Sequence, residues 1–379
     1  MRHPGLLAAA AALLGIFLNV SASGQDTDDL AAISIPVDPH ELATGRITRP
    51  GTPKEISAAF ALVDLARRNI GIYENADLSF AMKVSFTATG AVSYTGSGTM
   101  EEIRAGRGRE RWSATLGDFS ILRIFQNGTA YDQKAPGPIP LRIQMLRAVL
   151  FWPFSNVLPR DRLRTKAVVW NGRSVTCVLR SSATNMEPTP SAGRYWRERE
   201  YCIDPRSGLL QIYSEAPGIY VLYDYGGAPK FHTLTIPRRV TIFEGGSKVL
   251  DASVDSVEDP AIPAANLFEP TLDMSGAAVV LATPLHFFRN PPQNCGIVID
   301  GPVSEIEPII IHASIGNDGT VLEAEPLQAY DPLLSQSALS RVMTMNFGRP
   351  VRDRGNTTVR QQELFAEVDV LPRVRKCGS

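Results

Sequence analysis

The sequence alternates strictly between apolar side chains and small or polar ones over the stretch Leu78-Ser-Phe-Ala-Met-Lys-Val-Ser-Phe-Thr87. Because successive side chains of a β-strand point to opposite faces, this two-residue period predicts a strand with one face turned toward a core. Similar runs recur to about residue 257, separated by turn sequences such as Gln126-Asn-Gly128, Asn171-Gly172 and Glu244-Gly-Gly246. The pattern predicts a meander of antiparallel strands.

Two helices are predicted to accompany this meander. Thr52-Pro-Lys-Glu55 has the N-cap residue, the proline and the glutamate that are typical of a helix start. The segment Ile139–Phe151 has a helical pattern but is apolar on most of its faces, so it must be buried. The expected fold is mostly β: a highly curved antiparallel sheet, or half-barrel, closed by helices. A small α+β module, made of a β-hairpin, a helix and a strand, is expected to follow it.

The N-terminus indicates export. Arg2 and His3 precede the apolar run Leu6–Val20, and small residues then give way to polar ones, which is the order of a secretory signal peptide. An uncleaved membrane anchor is the alternative, although the run is shorter than the ~20 residues that span a bilayer. We expect a signal peptide at 1–24, a flexible leader at 25–51, a β domain at 52–258, a Pro-rich linker at 259–307 and a C-terminal module at 308–372. The mature protein is expected in the periplasm.

The four cysteines suggest disulfides rather than a metal site. They form no CxxC pair and have no histidine at metal-ligand spacing, so no metal is expected. Export permits disulfides, and Cys177 and Cys202 lie in two predicted strands that could face each other across a hairpin. Cys295 and Cys377 bracket the C-terminal module and could tie its tail to the linker. Free thiols are the alternative for both pairs.

Charge and motifs argue against nucleic-acid binding and against catalysis. Lys and Arg total 38 and Asp and Glu total 39, with no long basic stripe, which predicts no nucleic-acid partner. The five histidines are scattered, and GxSxG, HExxH and phosphate-binding Gly-rich motifs are missing, so we expect no enzyme and no cofactor. The carboxylate pairs Glu101/Glu102 and Glu198/Glu200 are interpreted as a solvated sheet face, and His312 as a surface or core residue.

One set of apolar residues is a candidate wall for a lipid-like ligand. It combines the alternating strand with the apolar helix, and its flexible and aromatic members suit an adaptable cavity. The alternative is an ordinary hydrophobic core. The candidate residues are Phe80, Met82, Val84, Phe86, Leu141, Met145 and Phe151.

The C-terminal module resembles the C-terminal domain of TonB-type energy transducers. The resemblance is carried by Ile309-Ile-Ile-His-Ala-Ser-Ile-Gly-Asn-Asp-Gly-Thr-Val321, by a helix start at Pro332–Leu339 and by a closing alternating strand. Met345 replaces an aromatic residue usual in that family, and the long Pro-Lys or Pro-Glu spacer is missing. The resemblance implies docking to an envelope or outer-membrane protein by strand addition. The candidate edge strand Arg360–Leu371 carries Glu363, Phe365, Glu367 and Asp369. Coverage of this edge within the chain is the alternative.

The first domain resembles the LolA/LppX type of periplasmic carrier in its architecture: a leading helix, a long alternating strand and an apolar helix inserted in the meander. This resemblance implies an apolar cavity for a lipid or lipoprotein. Taken together, the sequence predicts an exported, non-enzymatic binding protein with a docking module. A membrane-anchored TonB-family energy transducer and an enzyme of unrecognised type are the alternatives.

Overall fold

The computed structural model describes residues 52–74, 77–106, 108–133, 139–154, 162–181, 190–191, 194–195, 199–216, 218–260, 265–278, 286–289, 297–299, 309–316, 319–327, 332–346, 362–368 and 370–372. The signal peptide and leader expected at 1–51 lie outside these residues. The described helices are α1 (Pro53–Ile70), α2 (Leu141–Phe151), α3 (Pro332–Met343) and a short 3-10 helix (Ala265–Phe268).

The strands are numbered in chain order. They are β1 (Phe80–Ala88), β2 (Gly96–Arg104), β3 (Arg109–Leu116), β4 (Phe119–Gln126), β5 (Thr129–Gln133), β6 (Arg162–Trp170), β7 (Arg173–Ser181), β8 (Pro190–Ser191), β9 (Arg194–Tyr195), β10 (Arg199–Ile203), β11 (Leu210–Ser214), β12 (Ile219–Asp224), β13 (Lys230–Phe231), β14 (Leu234–Thr235), β15 (Arg239–Glu244), β16 (Ser247–Glu258), β17 (Met274–Ala278), β18 (His286–Arg289), β19 (Ile297–Ile299), β20 (Ile309–Ile315), β21 (Val321–Pro326), β22 (Gln362–Val368) and β23 (Val370–Pro372).

A single 13-stranded sheet dominates the molecule, with the order β17-β5-β4-β3-β2-β1-β16-β15-β12-β11-β10-β7-β6. Its neighbouring strands pair antiparallel, and the two end strands, β17 and β6, do not pair with each other among the described residues. The sheet is therefore open rather than closed into a barrel. This confirms the predicted fold class, a mostly β chain built on one large antiparallel sheet.

The alternation that predicted β1 is observed in its burial. Phe80, Met82, Val84 and Phe86 are buried on the inner face, which is the face covered by helices α1 and α2. The strand pairs with β2 on one side and β16 on the other, so it lies near the middle of the sheet. Opposite Phe86 stands Gly98, where a Cβ atom would lie only 2.4 Å from the Phe86 Cζ atom. Glycine is required here because the aromatic ring occupies the space of a side chain.

Helix α1 begins at the predicted capping box. The Thr52 hydroxyl accepts a hydrogen bond from the Glu55 amide at 3.3 Å, and the Glu55 carboxylate accepts one from the Thr52 amide at 2.6 Å. These reciprocal bonds satisfy two amides that the first helical turn leaves without a partner. The buried face of the helix, Ala59, Val63, Ala66 and Ile70, packs into the core of the large sheet.

The C-terminal module is a second, smaller sheet with a helix on it. Its strand order is β18-β22-β20-β21, and α3 contacts β20 and β21. The hairpin, the helix and the strand occur in the predicted order. The segment 259–307, expected to be a linker with short ordered patches, contributes β17 to the large sheet and β18 to the small one. It is therefore integrated into both sheets.

A disulfide links Cys177 and Cys202, as the sequence suggested. The two residues are directly opposite each other in the antiparallel pair β7 and β10. Both are buried, among Val175, Ile212 and Tyr220. Cys295 and Cys377 lie outside the described residues.

Replacing Cys177 and Cys202 together by serine is expected to lower the free energy of unfolding by about 3 kcal/mol. The disulfide spans a sequence separation of 25, and removing it restores the conformational freedom of that loop in the unfolded chain. Urea unfolding of the double variant beside the oxidised wild type measures the difference. Equal unfolding midpoints for the two proteins would contradict the prediction.

Candidate functional site

Helix α2 covers the inner face of the large sheet. Most of its side chains are buried, including Leu141, Met145 and Phe151. All seven residues predicted to line an apolar pocket belong to one core cluster, in which none of them is more than 4% exposed. The structure therefore brings the predicted residues together. In this structure they form a packed core, and their role as a ligand wall stays a prediction.

Only two charged residues, Arg142 and Arg147, interrupt this apolar helix. A guanidinium cannot be buried without carboxylates to pair with it. Each arginine therefore needs its own set of partners at the end of the helix where it lies. We call these sets the Arg147 cluster and the Arg142 cluster.

The Arg147 cluster consists of Arg147, Glu102, Tyr73, Trp112 and Trp152. Arg147 donates two hydrogen bonds to the Glu102 carboxylate, at 3.0 and 2.8 Å, and the Tyr73 hydroxyl donates a third. The guanidinium lies 4.3 Å from the centre of the Trp112 ring and 5.0 Å from that of Trp152. Because the Glu102 side chain is fully buried, this two-pronged ion pair is shielded from water.

A row of paired residues extends the Arg147 cluster to the edge of the inner face. Glu102 stands opposite Trp112, Trp112 opposite Arg123, and Arg123 opposite Asp132 across four neighbouring strands. Arg123 donates to both oxygens of Asp132, at 2.5 and 2.9 Å. The side chains of Arg123 and Asp132 are 26% and 18% exposed, so the row reaches solvent at its β5 end. We call this end of the row the rim.

Tyr73 of the Arg147 cluster and the neighbouring Glu110 both have raised pKa values. Burial, and next the charge of Glu102, raise the pKa of Tyr73 well above its usual value. Burial, and next the charge of Glu102, also raise the pKa of Glu110, whose carboxylate lies 4.0 Å from Arg104. Groups of this kind, gathered in a partly open site, are typical of functional sites and of structural ion-pair networks alike.

The Arg142 cluster joins the first domain to the C-terminal module. Arg142 is fully buried and donates to Glu244 of β15 and to Glu325 of β21. The other oxygen of Glu244 lies 2.5 Å from His312 Nδ1 on β20. Burial alone would raise the pKa of Glu244, but the neighbouring charges of His312 and Arg142 outweigh it and lower this pKa. Glu244 is therefore the anionic centre of the cluster.

A carboxylate of the C-terminal module also caps helix α2. Glu323 accepts a hydrogen bond from the Leu141 amide at 2.9 Å and another from the Ser93 amide at 3.1 Å. The residue at the N-cap position is Pro140, which makes no side-chain cap bond. Gln144, one turn further along, donates to the Ser314 hydroxyl at 3.4 Å. The first turn of α2 is thus bound by the module in place of a local cap.

One interpretation made from the sequence is wrong. Glu102 and Glu200 are fully buried, so they do not belong to a solvated sheet face. His312 is 1% exposed and takes part in a buried ion-pair network, which the sequence did not reveal. The sequence did contain one indication of the buried carboxylates. Two arginines in an otherwise apolar helix require such partners elsewhere in the chain.

The predicted partner-binding strand is not an edge strand in this structure. β22, which contains Glu363, Phe365 and Glu367, pairs with β20 on one side and with β18 on the other. The alternative, coverage of this edge within the chain, is what the topology shows. Strand addition at β22 would require β18 to be displaced. Asp369 lies outside the described residues.

The described part of the chain offers little to a metal ion. There, the side chains of Cys177, Cys202 and Glu200 lie close enough together to hold one. The disulfide, however, removes both thiolates from coordination. Among the helices that the structure describes, none is both long and apolar enough to cross a membrane.

Comparison with known proteins finds matches among solved structures. No protein-family model and no curated protein sequence matches the chain. The solved structures that it matches include LolA-type and MucB proteins. An outer-membrane lipoprotein-sorting protein domain from Vibrio parahaemolyticus matches at 8% identity and TM-score 0.34, over 57% of this chain and 96% of that one. A LolA superfamily protein from Nitrosomonas europaea matches at 9% identity and TM-score 0.36, over 54% and 94%.

The MucA/MucB complex of Pseudomonas aeruginosa matches at 13% identity and TM-score 0.26, over 69% of this chain and 82% of that chain. Identities and TM-scores this low do not define a ligand or a partner for this protein. The resemblance of the C-terminal module to TonB-type domains gains no support from these comparisons.

Replacing Arg147 by methionine is expected to lower the free energy of unfolding by about 3–5 kcal/mol, because the buried Glu102 carboxylate would lose its cationic partner. The double variant Arg147→Met/Glu102→Gln should recover much of this loss, since a neutral amide can still accept the Tyr73 hydrogen bond. Urea unfolding of the three proteins measures both effects. A double variant less stable than the single one would show that lost packing, rather than unpaired charge, causes the destabilisation.

Replacing Glu110 by glutamine is expected to stabilise the protein at about pH 7.5 and to have no effect at about pH 4. The raised pKa of Glu110 means that ionising it costs more in the folded than in the unfolded chain, and this cost disappears once both states are protonated. Urea unfolding across this pH range measures the difference.

The matched control is Glu101→Gln on the opposite face of β2, where the carboxylate pairs with Lys83 and Arg111 at 3.7 and 3.4 Å. It should give no stabilisation at about pH 7.5, because the substitution removes an exposed ion pair and does not remove a buried charge. A gain of equal size in both variants would contradict our explanation.

Proposed function

We propose that this protein is an exported, non-enzymatic binding protein that accepts an apolar or amphipathic ligand between helix α2 and the inner face of the large sheet. The observation that carries the proposal is the way in which α2 is held. Most of its contact with the sheet is apolar, while its polar attachments are concentrated in the two arginine clusters and the Glu323 cap.

The chemistry beneath α2 suits a hydrocarbon chain. Phe80, Met82 and Val84 of the sheet face Met145 and Phe151 of the helix in one apolar cluster. A hydrocarbon ligand that entered below the helix would replace one apolar contact by another. Methionine side chains at this contact can adapt to ligands of different shape.

The rim offers a place for the polar end of such a ligand. Arg123 and Asp132 are partly exposed there, and Tyr73 and Trp152 of the Arg147 cluster are half-buried. Aromatic rings with a polar edge and arginine side chains are suited to the boundary between an apolar chain and water. The site therefore fits an amphipathic molecule, such as a fatty acyl chain with a polar head.

The geometry supports binding over catalysis. His312 and Glu244 form a histidine–carboxylate pair, but they are 1% and 0% exposed, and Arg142 holds the second oxygen of Glu244. A substrate has no access to this pair. The second pair, His232 and Asp259 at 2.8 Å, lies on the surface with side chains 49% and 69% exposed. Side chains this exposed are surrounded by water and do not form an enclosed catalytic site.

The geometry also supports a binding protein over an energy transducer. The C-terminal module is attached to the first domain through the buried Arg142 cluster. Its strand β22 is covered on both sides. These contacts favour a module that acts on its own first domain over one that is free to reach an outer-membrane partner.

A dansyl-labelled undecanoic acid is expected to bind the purified protein with a dissociation constant in the micromolar range, roughly that of a single acyl chain in an apolar site. Because Trp112 and Trp152 adjoin the site, binding should quench their fluorescence by energy transfer to the dansyl group. Trp152→Ala should weaken binding about tenfold, because it removes a half-buried aromatic ring of the Arg147 cluster that adjoins the site.

The matched control is Trp170→Ala, which removes a half-buried tryptophan from strand β6 at the far end of the sheet. It should leave the affinity unchanged. Absence of saturable binding to the wild type, or equal weakening by both variants, would refute the proposed site. Mass spectrometry of the protein purified under native conditions from a periplasmic extract tests for a retained ligand independently.

A further inference from the structure

The first turn of helix α2 makes three polar contacts with the C-terminal module, beside those that Arg142 makes with Glu244 and the Thr89 carbonyl and that Gln144 makes with the Ile139 carbonyl. The Leu141 amide donates to Glu323, the Arg142 guanidinium donates to Glu325, and the Gln144 amide donates to Ser314. All three acceptors lie on the hairpin β20–β21. Without the hairpin, this end of the helix would lose its cap and half of the anionic charge around its buried arginine.

The opposite end of the helix is held differently. Arg147 binds Glu102 of β2, and the aromatic side chains around it also belong to the first domain. This attachment does not involve the module. Movement of the module would therefore remove the cap and one carboxylate partner of Arg142 at the N-terminal end of α2, and it would leave the contacts of the C-terminal end unchanged.

The hairpin is closely fitted to the first domain. Leu327, just after β21, and Ile310 of β20 are fully buried members of the first domain's core cluster. The Leu327 carbonyl oxygen packs against Gly218 in the turn before β12, where a Cβ atom would lie only 2.4 Å from it. Such a contact leaves no space for even one methyl group. A side chain at this turn would therefore push directly against the hairpin.

We propose that the hairpin β20–β21 holds helix α2 closed over the inner face, and that undocking of the C-terminal module is the step that admits the ligand. This inference rests on the proposed function, because it names the element that regulates the same site. By thermodynamic linkage, a ligand that requires α2 to open must also weaken the docking of the module. A bound ligand therefore exposes the hairpin, and the module reports the occupancy of the site.

The closing experiment uses two glycine variants of the full chain. Gly218→Ala places a methyl group against the Leu327 carbonyl, whereas Gly227→Ala meets nothing within 4 Å. Both glycines have a positive φ, +85° and +64°, so both substitutions strain the backbone, but only the first pushes on the hairpin. Hydrogen exchange followed by mass spectrometry is measured on peptides from α2 and from β20–β21, together with binding of the dansyl-labelled acid.

In Gly218→Ala, amide exchange in both the hairpin and the first half of α2 should accelerate at least about tenfold over Gly227→Ala, because both lose protection together. The acid should also bind several-fold more tightly. Faster exchange in the hairpin with unchanged exchange in α2 would overturn the inference, and so would equal exchange in the two variants. If α2 opens and no acid binds, the inference stands and the proposed function fails.

A second variant keeps the test decisive if Gly218→Ala does not fold. Glu323→Ala/Glu325→Gln removes the cap and one partner of Arg142 while leaving the turn at Gly218 intact. Its matched control is Glu101→Gln, which removes a carboxylate that contacts neither the module nor α2. Accelerated exchange in α2 is expected in the double variant alone, and unchanged exchange there overturns the inference.

Discussion

The buried guanidinium of Arg142 is the constraint on which the arrangement of the two domains depends. It is fully buried in an apolar helix, and its two carboxylate partners come from different sheets. An ion pair of this kind adds little net stability, because desolvation offsets much of the attraction between the charges. Losing one partner is nevertheless costly. The domains are therefore held in one relative position by the need to keep this charge compensated.

The same reasoning explains why α2 can be both a core element and a movable one. Its apolar side chains can pack against any apolar neighbour, whereas a few hydrogen bonds and ion pairs fix its position. A helix held only by continuous apolar packing would have no such discrete points of release. Here, release depends on a small number of exchangeable bonds, and three of them come from the sheet of the C-terminal module.

Much of the fold was predictable because it follows from local rules. The alternation in β1, the capping box of α1, the apolar pattern of α2 and the hairpin of the C-terminal module each depend on neighbouring residues. The pairing of Cys177 with Cys202 followed from two strands that are close in sequence. The carboxylate partners of Arg142 could not be predicted, because they lie on two strands that are distant from it in sequence. Glu102 was misjudged because a carboxylate in a strand is usually solvated, and only its cross-strand register with Trp112 places it inward.

The strand order has a consequence for how the chain acquires its structure. Strands β1 to β5 form a meander of short-range pairs, but β1 also pairs with β16, and β5 is covered by β17. These two contacts join residues that are far apart in the chain, so their closure carries a large entropic cost and is slow. Until the segment ending at Ala278 is available, the meander has two unprotected edges. The incompletely folded chain is therefore most vulnerable to aggregation in the interval before β16 and β17 pair with the meander.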